Sequence, residues 1–566
     1  MRKLLSFVFI FAAITLSPAQ PTNTPDDTAT DSVPTFRSRA ELVYVPVIVK
    51  DKKGGHLGGL KQEAFTVEQD GKPVRAAIFE EVKNASGEMT PQRELPGVIS
   101  NYSAADQRPR RLLIIVLDTL NTPALYQVRA KQALLNFLMT AVPPNEPVAL
   151  LGLGQDGLRQ LHPFTTDTSL LIAAIKKVQT QVSNADDIAT SMPDATSPAD
   201  RHESQRLGGG ARELQDFLDA AESNSGYNAF RQRQSIRLSL LCFQQLANAF
   251  AAIPGRKTVV WATGGFPFLL DDPAAFNRMG MEFAQDYDRT WRVLSSANIS
   301  VYPVDLMGLV APDFNRYSAA NQAGQIYPMY PGYAMGRRPA YYDYDRQRQD
   351  TMRAVANATG GIACVDNNDL ARCLDRAARD SESYYLLGYY LQGDQKPGWH
   401  KLKVKVAGEH GEVRARQGFY SGDTPRRLEQ RRHDDMYVAV ASPIDYTGVH
   451  FAITQPRLAR TPDGKTTISV DVIVPGASFR IATQQQNQLD LDVLALALRS
   501  GGKVAGTSSH KISGTPSDAS ANRLEKEGLR ITETMSVEPG KYVLRVAVRD
   551  NQTGQIGTVH TPIETK

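Results

Sequence analysis

The run "LLIIVLDTLNTP", Leu112 to Pro123, is an apolar stretch that ends in an acid, two hydroxyls and an amide. A strand buried on both faces reads as such a run, and the acid at its end, Asp118, is placed for one of two tasks. Among other hard oxygens it would help coordinate a divalent cation such as Mg²⁺. On its own it would accept hydrogen bonds from loop amides or cap the helix that follows. A second acid, Asp305, closes another such strand, "ISVYPVD".

Other chemistries lack their residue patterns. The nine histidines stand in no HExxH or comparable ligand spacing. His162 in "LHPF" and His400 in "GWHKLKV" read as strand-edge residues. No Gly-x-Ser-x-Gly elbow is present, and sequence order pairs no serine with a histidine and an acid. Phosphate-cradle and dinucleotide patterns are absent around Gly208 to Gly210. Without a CxxC pair, zinc-ribbon and thioredoxin-like readings fail. Cys242 lies in an apolar helical run and reads as a small buried hydrophobe. Cys364 and Cys373 flank "VDNNDLAR"; an oxidising compartment would permit a disulfide between them, the alternative being two free thiols. Tyr327, Tyr330, Tyr333, Tyr341 and Tyr342 gather with Arg337 and Arg338 in a Pro/Gly-rich stretch. Tyr and Arg supply contact energy at adaptable interfaces, so this stretch reads either as a binding loop or as an ordinary surface loop.

The elements that must position these residues follow from periodicity. Residues 38–82 show β-branched alternation around Gly-rich turns, with "EQDGKPV" joining two strands as a hairpin, and so form a small β domain. A polar link covers 83–107. Over 108–382 buried strands alternate with helices, which predicts an α/β, doubly wound parallel sheet with right-handed crossovers. In the first of its helices Leu125, Val128, Leu135 and Leu138 fall on one face and are expected in the core. Polar or Pro/Gly-rich insertions interrupt it at 183–226 and 310–348, where regular structure is not expected. Residues 383–420 alternate with period two as a β extension, 421–435 form a charged linker, and 436–566 read as a β-sandwich without intervening helices.

A chain of 566 residues is too long for one core, and three or four domains follow. A net charge of +4 is near neutral for this size and makes no case for nucleic acid or anionic lipid. Residues 1–19 have a basic start (Arg2, Lys3), an apolar run and small residues Ser17 and Ala19 before a cleavage point, the pattern of a signal peptide. Residues 20–37 read as a flexible leader. The expected product is exported, periplasmic or extracellular, without a membrane span.

The central region resembles a von Willebrand factor type A domain, specifically the divergent acidobacterial group of related proteins. The resemblance rests on "LLIIVLDTLNT", "PGRKTVVWATGG", "NISVYPVD", "ATGG" and the closing "YYLLGYY" with "RARQGFY", and spans most of residues 38–420. It implies a Rossmann-like sheet whose strand ends form a ligand edge. In typical members that edge holds Mg²⁺ through Asp-x-Ser-x-Ser, a threonine and a second aspartate. Here Asp118 matches the leading aspartate and Thr122 stands for the second serine. Leu120 replaces the first serine, and the second aspartate becomes Gly264, with the Thr263 hydroxyl beside it. The resemblance therefore implies a ligand edge of Asp118, Thr122, Thr263 and Asp305 with a degenerate metal site and no resident cofactor. The expected function is non-catalytic recognition of a protein or cell-surface polymer. The alternatives are a structural envelope component held by its β-sandwiches, or an enzyme whose site has no sequence signature.

Overall fold

The computed structural model describes residues 42–83, 97–101, 112–140, 142, 146–179, 210–251, 253, 255–266, 283–308, 340–391, 396, 398–421, 432–478 and 489–565. The signal and leader segments, 1–19 and 20–37, lie outside the described residues, as do Tyr327, Tyr330, Tyr333, Arg337 and Arg338. The chain is multi-domain and rich in sheet, several of its sheets being antiparallel.

Strand β1 (Leu42–Val49) alternates Val43, Val45, Val47 and Val49 into a core. β2 (Phe65–Gln69) and β3 (Lys72–Val74) form the expected hairpin. Its turn residues Asp70 and Gly71 both have positive φ, 50° and 81°, which Gly and Asp tolerate best. β4 (Ile78–Lys83) completes this segment. Instead of closing on itself, the segment pairs with strands more than 300 residues away. β1 and β4 flank β11 (Ser383–Tyr390), and β2 pairs with β12 (Gly398–Val406). The N-terminal β domain and the β extension are therefore one two-sheet sandwich sharing a single core. β5 (Val98–Ser100), inside the stretch read as a polar link, belongs to yet another sheet.

The middle sheet has the order β10-β9-β6-β7-β8. β6 (Leu112–Asp118), β7 (Val148–Gly154), β9 (Lys257–Thr263) and β10 (Ile299–Asp305) are parallel and buried along their whole length, while β8 (Gly157–Thr165) is an antiparallel edge. Alternate side chains feed two cores. Ile114, Val116, Val259, Trp261 and Val301 face one side, and Leu113, Ile115, Val260, Ala262 and Val304 the other. On the second side lie α1 (Ala124–Thr140), α2 (Thr168–Lys177) and, later in the chain, residues 370–378. On the first lie α3 (Gly210–Ala249), α4 (Ala284–Ser296) and α5 (Ala340–Thr359).

Both insertions are narrower than their composition suggests. α3 begins at Gly210, inside 183–226, and α5 begins at Ala340, so Tyr341 and Tyr342 are helical rather than part of an irregular loop. The face of α1 is also different from the one expected. Leu125 and Val128 are 77% and 59% exposed, whereas Ala130, Leu134, Phe137 and Leu138 are buried together with Gln127. Gln127 lies on the buried side, where its amide donates to the Thr122 and Thr119 carbonyls at 2.7 and 3.2 Å, while Leu138 is buried as expected and Leu135 is half-buried against the same core.

α6 (Leu370–Asp380) carries Cys373 in its first turn, and the disulfide to Cys364, with Cα atoms 5.9 Å apart, ties the helix to the segment before it. Then come β11 (Ser383–Tyr390), β12 (Gly398–Val406), β13 (Val413–Ala415) and β14 (Gly418–Ser421). The stretch read as a linker ends inside helix α7 (Arg432–Ala441). β15 (Ala452–Thr454), β16 (Arg457–Arg460), β17 (Thr466–Val474) and β20 (Leu529–Val537) join β5 in one sheet. β18 (Leu489–Leu498), β19 (Val504–Gly514), β21 (Gly540–Asp550) and β22 (Ile556–Thr565) make the other, and both sheets share one core. A helix the composition did not suggest, α8 (Asp518–Glu527), is capped by Ser517 and connects β19 to β20. Met436, Val440, Tyr446 and Leu496 from this C-terminal part enter the same core as α3 and α4. The join is packed, and the Thr447 hydroxyl donates to the Ala249 carbonyl at 2.7 Å.

Candidate functional site

Register alone brings the predicted site residues to one rim. Asp305 pairs with Thr263, and Leu117 pairs with Ala262, so Asp118, Thr263 and Asp305 end three adjacent parallel strands. The carboxyl ends of parallel strands are where α/β sheets gather ligand loops and helix N-termini.

Asp118 is fully buried and its oxygens are engaged. Oδ1 accepts the Asn121 main-chain N–H at 2.9 Å. Oδ2 accepts from the Asn121 side-chain amide at 2.9 Å, the Trp261 indole at 3.1 Å and the Thr263 hydroxyl at 2.9 Å. Burial pushes the carboxyl above the ordinary range, and the hydrogen bonds from Asn121, Trp261 and Thr263 pull against that rise. Thr122 is turned to the main chain. Its hydroxyl donates to the Asp118 carbonyl and accepts the Gly264 N–H at 2.8 Å.

Asp305, also buried, accepts from the Met307 N–H at 2.9 Å and from Arg348 Nη1 at 2.7 Å. The same Arg348 nitrogen donates to the Gly264 carbonyl at 2.8 Å, so α5 is pinned across the ends of β9 and β10. Sequence reasoning found Asp118, Thr122, Thr263 and Asp305 but missed Asn121, Trp261 and Arg348. Asn121 had a signal, an amide three residues after the acid. Trp261 and Arg348 had none, because only the fold brings them there.

These residues do not fit Mg²⁺. A hard cation of this size needs near-octahedral oxygen ligation at about 2.1 Å, and the Asp118 oxygens already face nitrogen- and oxygen-bound hydrogens. Among the described residues no group of three or more His, Cys, Asp or Glu could hold a metal ion. Gly264 closes the matter sterically. A Cβ there would stand 2.7 Å from the Asn121 carbonyl and 3.0 Å from the Thr122 Cα, so the loop occupies the space a second aspartate would need. Of the two tasks open to Asp118, the geometry serves hydrogen bonding rather than metal ligation with Thr122, and the rim acid is a hydrogen-bond hub. Placing an aspartate there with Gly264→Asp should cost ~1–3 kcal/mol of stability by overpacking, and millimolar Mg²⁺ should not recover it. Thermal melts with and without Mg²⁺ read both effects.

No protein-family model matches the chain, and no curated protein matches it. Among solved structures it is similar to a β-glucuronidase from glycoside hydrolase family 2, at 8% identity over 32% of this chain and 19% of that one, with a TM-score of 0.15. A glycosyl hydrolase family 2 member from Bacteroides cellulosilyticus DSM 14838 has the same identity and TM-score over 32% and 20%. The chain spans about a fifth of the length of these structures. At a TM-score of 0.15 neither bears on fold or function.

Proposed function

We propose that this is an exported, non-catalytic binding protein whose central domain is of the von Willebrand factor type A kind, Rossmann-like and close to the divergent acidobacterial group. Its partner is a protein or cell-surface polymer, met at the rim of the parallel sheet without a metal ion. Support comes from the strand order β10-β9-β6-β7-β8 with helices on both faces. The observation that carries the reading is the state of that rim. Its two acids are buried in structural hydrogen bonds, while beside them the first turns of α1 expose Leu125 and Val128. Polar groups there hold the loops, and apolar surface faces outward, the arrangement of a contact surface.

The Tyr- and Arg-rich stretch that includes Tyr327, Tyr330, Tyr333, Arg337 and Arg338 lies in the sequence between β10, which ends at this rim with Asp305, and α5, whose Arg348 bonds to it. With Tyr341 and Tyr342 at the start of α5 it supplies the second half of the proposed contact. Immobilised full-length protein should capture a partner from envelope extract. Deleting residues 320–336, which leaves α5 intact, should reduce capture about tenfold, the scale of a lost interface anchor. Undiminished capture by a folded deletion variant rejects the rim as the contact. Capture that instead depends on the C-terminal sandwich surface would favour the envelope-structural alternative. No helix among the described residues is long and apolar enough to cross a membrane.

A further inference from the structure

His400, expected at a strand edge, stands in β12 between β14 and β2 and is 8% exposed. Its Nδ1 lies 2.7 Å from Asp70 Oδ2 in the β2–β3 turn. Its Nε2 lies 2.8 Å from Ser421 Oγ at the end of β14 and 2.9 Å from the Lys396 carbonyl just before β12. Acid, imidazole and hydroxyl follow one another as in a hydrolase triad. The Lys396 carbonyl decides against that role. A carbonyl can only accept, so the nitrogen facing it carries a hydrogen, and the Asp70 carboxylate calls for a hydrogen on the other. An imidazole with hydrogens on both nitrogens is charged and has no lone pair with which to take the Ser421 proton. Ser421 fits the same pattern. Its hydroxyl is 3.1 Å from the Lys396 carbonyl, to which it donates while accepting from Nε2, and at 1% exposure it is closed to a substrate.

We propose that His400 is a proton-operated clasp that in its charged form ties the β2–β3 turn, the entry to β12 and the end of β14 to one another. Loss of one proton leaves one ring nitrogen without a hydrogen and breaks one of the ties. The groups facing it are few. Asp70, whose other oxygen accepts the Lys401 N–H at 2.9 Å, supplies the opposite charge. The Phe419 ring stacks on the imidazole at 5.2 Å and also carries the Arg416 guanidinium at 6.0 Å, a like charge on the far end of the cluster. Tyr389 packs edge-on to Phe419 and bonds Gln69 at 3.1 Å. Burial alone would raise the Asp70 carboxyl, but the hydrogen bonds from His400 and the Lys401 amide outweigh it and hold the group below its usual range. Asp70 therefore stays ionised beside the charged imidazole, and the clasp is complete at acid pH. Ser421 ends the described strand from which the chain runs on toward α7, so the clasp acts where the sandwich hands over to the C-terminal part.

The test uses the full chain. Urea unfolding of the wild type and of His400→Phe should give a ratio of folding constants on the order of tenfold larger near pH 5 than near pH 8.5, the range of one hydrogen bond to a charged group. Ser421→Ala should keep most of that dependence, because the Lys396 carbonyl still accepts. A ratio equal at both pH values overturns the proposal. Should His400→Phe fail to fold, ¹⁵N shifts of the His400 ring in the wild type decide: both nitrogens protonated near pH 5 supports the clasp, and a bare Nε2 there overturns it. Labelling of Ser421 by a fluorophosphonate probe would overturn it as well, showing a nucleophile instead.

Discussion

Asp380→Ala should destabilise the protein by about 3–5 kcal/mol at neutral pH, the scale for removing one partner of a buried ion pair. Asp380 ends α6 with its side chain fully buried, between the parallel sheet and the N-terminal sandwich. Oδ1 meets Nζ of Lys50, the residue just after β1, at 2.7 Å. Oδ2 accepts from Arg414 of β13 and, at 3.3 Å, from the Tyr302 hydroxyl of β10. Its carbonyl accepts from Arg256 Nη1 at 2.9 Å, and that guanidinium also reaches Ser300, Tyr302 and the Gly360 carbonyl. Two cations thus meet the carboxylate while a third, Arg256, holds the carbonyl of the same residue, and alanine would leave the Lys50 and Arg414 charges facing one another in a buried junction. Burial by itself would raise the Asp380 carboxyl; the Arg414 and Lys50 charges outweigh burial and hold it below the usual carboxylate range. A depressed carboxylate contributes stability that is present above its unfolded pKa of about 4 and is lost as pH falls through the folded value. The gap between wild type and Asp380→Ala in urea unfolding should therefore be widest at neutral pH and shrink below about pH 4. Asp380→Asn, which keeps the shape, should lose most of the same stability, which separates charge from packing.

That junction also marks what could be read in advance. "LLIIVLD", "VALLGLG" and "TVVWAT" announced strands buried on both faces, and the buried patterns of β6, β7 and β9 agree. The "EQDGKPV" turn announced its hairpin through local φ demands alone. Pairing partners were illegible, because nothing in the local pattern of β1 or β2 points to β11 or β12. Helix facing failed in the first turns of α1, where the side chain turned inward is Gln127, bonded to a loop carbonyl, and Leu125 and Val128 face outward, whereas Leu135 and Leu138 pack on the core as expected. The rim acids were found because they end strands. Their partners were not, since Trp261 alternates inward like any core residue and Arg348 lies 43 residues beyond Asp305.

Lys257→Met should stabilise the protein by several kcal/mol at pH 6 and by little near pH 10. Lys257 opens β9, pairs with Leu112 and Ile299 across the sheet, and is 2% exposed. Its Nζ donates to the Ile253 carbonyl at 2.7 Å. Among the described residues no carboxylate forms an ion pair with it. Burial without a counter-charge pushes its pKa down from 10.5 to about 7. Between those values the unfolded chain binds a proton that the folded chain does not, so wild-type stability rises with pH across that interval. Each unit of difference is worth about 1.4 kcal/mol, which places the full penalty below pH 7 at roughly 5 kcal/mol as an upper bound. Methionine keeps the unbranched stem and has no charge to desolvate, so it removes the penalty while filling the same space. The observable is the slope: urea unfolding of the wild type should strengthen from pH 7 to pH 10 relative to Lys257→Met, and the two curves should meet at the alkaline end. Parallel curves over that range would mean that Lys257 keeps its proton in the fold, in which case water or a negative group must reach the start of β9.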